Sequence, residues 1–120
     1  MYKNTQKLEV RFFCSEVGSE PVREWLRELP KEDKYTIGAD IKTIQYGWPL
    51  GMPLVDSLGK GLWEVRSKLA RGRIARVIFF LDTGVMILVN GFIKKTPKTP
   101  QAQLDLSLKR KRLYETSRGA

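Results

Sequence analysis

The sequence predicts an α+β fold: a strand, a helical hairpin, three more strands and a closing helix, with a small antiparallel sheet of about four strands. Three observations predict it. Between Gly61 and Pro100, three runs of apolar, β-branched and aromatic residues, Leu62–Lys68, Ile74–Leu81 and Val85–Ile93, are separated by Arg71-Gly72 and Asp82-Thr83-Gly84. Short connections of this kind join antiparallel neighbours. Upstream, Val22, Trp25, Leu26 and Leu29 fall at i, i+3, i+4 and i+7, the stripe of an amphipathic helix. Downstream, Thr99-Pro100 opens a leucine-bearing stretch in the manner of an N-cap and first helical residue.

In chain order, Leu8–Cys14 reads as the first strand, with Leu8, Val10 and Phe12 on one face and Glu9, Arg11 and Phe13 on the other. Cys14, in this apolar run, reads as core filler. Ser19 is placed to cap a helix that opens with Glu20-Pro21, leaves Glu24, Arg27 and Glu28 outside and stops at Pro30. Lys31–Tyr46 reads as a second helix with Ile37, Ile41 and Ile44 inward, ended by Gly47. Trp48–Pro53 is a loop back to the meander. The runs at 74–81 and 85–93 are apolar on both faces, so each face needs a cover; the last helix, with Leu104, Leu106, Leu108 and Leu113, is the second one, and its tail from Thr116 is expected to fray. The first strand must join the sheet, but nothing in the pattern says beside which neighbour.

The 120 residues suit one domain, 1–120, able to bury a core without a metal or disulfide. No apolar run reaches the ~18 residues of a membrane span, and the start, MYKNTQKLEV, lacks the apolar core of a signal peptide. The expectation is a cytoplasmic protein. Charge is distributed unevenly. Residues 1–59 carry 8 basic and 9 acidic groups, a net of −1; residues 60–120 carry 14 and 4, a net of +10. A field this one-sided favours nucleic acid or an acidic protein partner over a merely solubilised surface.

The chain has no histidine and one cysteine. That excludes His/Cys zinc sites and the Ser-His-Asp and Cys-His nucleophile systems. Glu64, Asp82, Asp105 and Glu115 are the only acids in the basic half, poor material for a two-metal carboxylate centre. Gly59-Lys60-Gly61 is too short to be a phosphate loop. No metal and no cofactor is expected. Arginine, lysine and tyrosine remain, and they suit metal-independent RNA cleavage. In that reaction the 2′-hydroxyl attacks the adjacent phosphorus, and fixed cations stabilise the charge gathering on the phosphoryl oxygens. A lysine takes the proton when neighbouring cations lower its pKa; an arginine stays charged and clamps.

The candidates divide accordingly. Arg66 shares a strand face with Leu62, Glu64 and Lys68; its bland role is a cross-strand pair on a solvated face. Arg76 interrupts an apolar strand, and a buried charge needs a partner, for which Glu64 is the structural choice. Arg71 and Arg73 flank a turn. Lys94, Lys95 and Lys98 follow the last strand. Tyr114 is available to stack on a base, though packing alone would explain it. Lys109, Arg110, Lys111 and Arg112 form a basic run suited to phosphate or an acidic partner.

Gly-Leu-Trp-Glu-Val-Arg at 61–66, Arg-Val-Ile-Phe-Phe at 76–80 and Gly-Phe-Ile-Lys-Lys-Thr-Pro-Lys-Thr-Pro at 91–100 together resemble the RelE/ParE toxin superfamily, most closely its HigB-like, phage-derived branch. The resemblance spans nearly the whole chain. It implies a RelE-like toxin of a type II toxin–antitoxin pair, an mRNA endoribonuclease acting on the translating ribosome. The implied partners are mRNA, the ribosome and a helix-turn-helix antitoxin. The positions it carries over are Arg66, Arg76, Lys94 and Lys95 as catalytic groups, with Arg73 and Lys98 beside them as RNA contacts. Two positions depart: Ala75 stands where relatives often have Tyr, and Asn90 where they often have His. An asparagine hydrogen-bonds but is no general base. Two other readings therefore stay open: a noncatalytic, ParE-like inhibitor of DNA gyrase, and an inactive prophage-derived homologue that only binds its antitoxin.

Overall fold

A computed structural model describes residues 8–119. Residues 1–7, part of the stretch read above for a signal peptide, lie outside the described residues. Five strands form one sheet: β1 (Glu9–Phe12), β2 (Val55–Gly59), β3 (Leu62–Lys68), β4 (Ile74–Asp82) and β5 (Val85–Lys94), in the spatial order β1-β5-β4-β3-β2. Helices α1 (Pro21–Arg27) and α2 (Lys31–Gly47) follow β1, and α3 (Gln101–Gly119) closes the chain. The fold class is the expected α+β, with one strand more than expected and a mixed rather than wholly antiparallel sheet, since β1 pairs parallel with β5.

The additional strand is β2, pairing antiparallel with β3 through a turn in which Gly59, Lys60 and Gly61 all have positive φ (82°, 56° and 81°). Its sequence, VDSLG, is rich in residues that strands disfavour, so tertiary pairing rather than propensity forms it. The first strand finds its place beside β5 and runs parallel to it, Glu9 opposite Val85 and Phe12 opposite Leu88. The Gln45 side chain donates to the Leu8 carbonyl at 2.7 Å and the Leu8 amide to the Gln45 carbonyl at 3.0 Å, fixing the end of α2 against the start of β1.

Each sheet face has its own core. On one face, Val65, Ala75, Val77, Phe79, Met86 and Leu88 pack beneath Val22 of α1 and Ile37, Ile41 and Ile44 of α2. The α1 stripe closes over this face, and Trp25 lies so near Gly91 that a Cβ added there would stand 2.5 Å from the indole. On the other face, Leu62, Ile78, Phe80, Ile87 and Phe92 pack against Leu108 and Tyr114 of α3. The two-sided apolar strands thus have the two covers they require.

Several local expectations need correction. Glu20, not Ser19, is the N-cap of α1; the Glu24 carboxylate reaches back to the Glu20 amide (3.3 Å) and the Ser19 hydroxyl (3.2 Å). Helix α1 ends at Arg27, three residues before Pro30. Pro100 rather than Thr99 stands at the head of α3, since its carbonyl accepts from the Gln103 and Leu104 amides at 3.0 and 3.2 Å. Helix α3 runs through Thr116 to Gly119 instead of fraying, because the Arg118 guanidinium meets the Asp82 carboxylate at 2.9 Å and the Tyr114 hydroxyl at 3.1 Å. Cys14 is exposed, one residue past the buried Phe13, and Leu113 is 42% exposed, so neither fills the core.

Candidate nucleic-acid interface

Side chains two apart on a strand share a face. The register of β3, β4 and β5 therefore sets three parallel rows on the face that α3 covers: Glu64–Ile78–Asn90, then Arg66–Arg76–Phe92, then Lys68–Ile74–Lys94. Helix α3 roofs the first row. The third lies open at the sheet end, with Lys68 and Lys94 exposed. The second is crossed by residues 95–100, a strap that links β5 to α3.

The strap is held from below. Arg76 has no exposed surface. Its guanidinium donates to the carbonyls of Thr96 and, at 3.5 Å, Lys98, and its Nε has no partner. Arg66 donates to the Pro97 carbonyl at 3.1 Å. The Thr99 hydroxyl donates to Glu64 Oε2 at 2.5 Å. Glu64 is buried too, and burial pushes its carboxyl upward against the opposing pull of Thr99, Arg76 and Arg66. Burial also lowers the Arg76 guanidinium, which Glu64 partly offsets. The direct ion pair of Glu64 is with Arg66, 3.9 Å away, and not the expected one with Arg76. The third and fourth sequence candidates, Lys94 and Lys95, are exposed, as is Lys98.

The remaining candidates lie elsewhere. Arg73 makes a two-pronged pair with Asp33 at 2.9 and 3.1 Å and donates to the Ala70 carbonyl, fixing the β3–β4 turn to the first turn of α2. That bonding holds the Asp33 carboxyl below its ordinary value. Beside it, Asp33, Lys68, Arg71 and Arg73 help line a cavity of about 250 Å³. The basic run of α3 splits. Lys109 and Arg112 face solvent. Arg110 turns inward to the Val89 carbonyl at 2.7 Å, where a register shift leaves Val89 without a partner on β4. Lys111 pairs with Glu115 at 2.6 Å and lies 5.5 Å over the Phe80 ring. Tyr114 donates to Asp82 at 2.7 Å and packs edge-on against Phe80. Its expected bland role, packing, is the one the geometry supplies.

The two departures from the resemblance are packed positions. Ala75 is buried in the core under α1 and α2, on the sheet face opposite the lysines. Asn90 is buried against α3, where its amide donates to the Gln103 side-chain oxygen at 2.8 Å and to the Ser107 hydroxyl at 3.3 Å.

A family model described as phage derived protein Gp49-like (DUF891) matches residues 24–112. The chain belongs to this family. Gp49-like proteins are associated with the toxins of toxin–antitoxin systems. No curated protein matches the sequence. The Gp49-like span takes in α2, β2 to β5, the strap and the basic run of α3, and so includes every cation of the open row; β1 and the Arg118 contacts fall outside it. No group of three or more His, Cys, Asp or Glu side chains suited to a metal ion occurs among the described residues, and no helix among them is long and apolar enough to cross a membrane.

Two parts of the candidate site carry little signal in the sequence. Lys68 reads from the sequence only as one cation of a basic rim, on the Arg66 face by period-two alternation. Thr99 reads as a cap in the sequence; its bond to Glu64 spans 35 residues, and no local signal encodes it.

Proposed function

We propose that the protein is the toxin of a type II toxin–antitoxin system and that its cationic sheet end cleaves mRNA on the translating ribosome. The supporting observation is the open row: Lys68 and Lys94 flank Ile74 across three strands, about 10 Å apart at the backbone, with Lys95 and Lys98 exposed beside them and Arg66 at the strap's edge. A phosphodiester laid across this row would meet ammonium groups on both sides. The 2′-oxygen attacks phosphorus, the bond to the 5′-oxygen breaks, and a 2′,3′-cyclic phosphate and a 5′-hydroxyl result. The proton leaves the 2′-hydroxyl and one is delivered to the departing 5′-oxygen; Lys94 and Lys95 are the groups assigned to these transfers. Fixed cations lower the barrier by stabilising the phosphoryl charge, and removing one such group typically costs ~10²–10³ in rate. Lys109 and Arg112 extend the field along α3, and a helix-turn-helix antitoxin with an acidic face would neutralise it.

One observation favours a second, noncatalytic reading, either a ParE-like inhibitor of DNA gyrase or an inactive homologue: both terminal nitrogens of the Arg76 guanidinium and the Asn90 amide already donate inside the protein. Mapping mRNA 5′ ends in a cell-free translation reaction separates these. In-frame cuts within codons, present only with translating ribosomes and lost in Lys94→Ala/Lys95→Ala, are expected. Intact message with normal translation would refute the nuclease and leave the noncatalytic reading.

A further inference from the structure

Residues 95–100 lie between the end of β5 and the start of α3, yet their backbone is gripped by charged side chains of two other strands. Arg76 and Arg66 between them take the carbonyls of Thr96, Pro97 and Lys98, and Glu64 takes the Thr99 hydroxyl. We propose that Glu64, Arg66 and Arg76 are positioning residues, which pin this strap so that Lys95 and Lys98 stand as a fixed row, continuous with Lys94 and Lys68, for the phosphates of a single-stranded nucleic acid. The inference rests on the nucleic-acid reading of the site and deepens it.

Three features carry it. Arg76 has no surface for a ligand to touch, so whatever it contributes passes through what it holds. The carbonyls of 96–98 turn toward the sheet while Lys95 and Lys98 are exposed, so the grip orients the strap with its lysines outward. Finally, the strap's anchors sit on the central strands, and Pro97 and Pro100 restrict the backbone between them. A lysine on a free loop gives up more conformational freedom on binding than one already placed, and preorganisation removes that cost. The anchors also add to the field: one carboxylate against two guanidiniums leaves a positive excess beneath the strap.

Thr99→Val tests this, because it removes only the hydroxyl's bond to Glu64, with Thr99→Ser as the rescue. Two readouts are needed. Trypsin cleavage after Lys95 and Lys98 reports the grip without any ligand; slow cutting is expected in the wild type and in Thr99→Ser, and at least several-fold faster cutting in Thr99→Val. Binding of an oligouridylate of about a dozen nucleotides, followed against salt, reports the phosphates engaged. Each phosphate contributes a slope of about −0.7 on single strands, so Lys95→Ala/Lys98→Ala is expected to flatten the slope by about 1.4. Thr99→Val should flatten it toward that value and add nothing when combined with the lysine pair. A merely structural Thr99 would shift the melting temperature and leave the slope alone, which would overturn the inference. Equal trypsin rates in wild type and Thr99→Val would also overturn it, whatever the RNA result. Faster cutting of Thr99→Val with no oligouridylate bound by the wild type would instead refute the nucleic-acid reading, and with it the row's purpose, while leaving the grip demonstrated.

Discussion

Replacing Arg76 by alanine should damage the fold before it reports on chemistry. The guanidinium is wholly buried, donates to two strap carbonyls and acts electrostatically on the buried Glu64. Removing one member of a buried charge pair costs about 3–5 kcal/mol, because the other is left without compensation. Here Arg66 remains 3.9 Å from Glu64, which argues for the lower end. With an unfolding entropy of ~2.1 cal/mol/K per residue, 1 kcal/mol is worth about 4 °C in a chain of this size, so at that lower end Arg76→Ala should melt roughly 12 °C below the wild type. The desolvation that lowers the Arg76 guanidinium works against its own contribution, so exchanging both charges, as in Glu64→Leu/Arg76→Met, should recover most of the loss. Circular dichroism melts of the wild type and the two variants are the assay. An Arg76→Ala protein melting within ~2 °C of wild type would refute the argument, since it would mean that the charge network is energetically idle. An alanine scan of the proposed activity at this position needs the melt beside it.

Two further outcomes follow from other parts of the fold. Gly91→Ala puts a methyl 2.5 Å from the Trp25 ring, on the face away from the lysines; overpacking of this kind costs ~1–3 kcal/mol, and the Tm should fall accordingly while the oligouridylate binding proposed above is left unchanged in the folded protein. Asp33, held below its ordinary 3.8 by its hydrogen bonds with Arg73, contributes stability that is complete above that ordinary value and is lost as the pH falls through the lowered one. Asp33→Asn should therefore melt below wild type at neutral pH, with the gap closing toward pH 2; a gap independent of pH would refute the assignment.

What was legible in the sequence was what local patterns encode. The Val22–Leu29 stripe, the Ile37–Ile44 stripe and the three long strands are periodic signals, and the structure has them within a residue or two of their expected ends. Strand β2 was invisible because its residues have little strand propensity and it exists through β3. The place of β1 was undetermined because parallel pairing with a distant strand leaves no trace in either segment. For the candidate site, the residue types and the strand face of Arg66 and Lys68 were readable. That Arg76 would face strap carbonyls, that Arg73 would pair with Asp33 and that Arg110 would turn to a bulge carbonyl were not, since each is a contact across 20 to 40 residues of sequence. A charge run shows sign and spacing, and only tertiary packing decides which members reach solvent.

The parallel pairing of β1 with β5 also has a consequence for when the molecule becomes competent. Glu9 lies opposite Val85, so the contact closes a loop of 76 residues, the difference between those two positions. Contacts this remote form late and slow assembly. The nascent chain delivers β1, α1 and α2 first, and these have no sheet to lie on until β3 to β5 arrive. Lys68 arrives with β3 and Lys94 ends β5, while Lys95 and Lys98 of the strap come after it. A chain released before residue 85 therefore lacks both the partner of its first strand and Lys94, Lys95 and Lys98, and the complete cationic row exists only in a molecule whose fold is nearly closed.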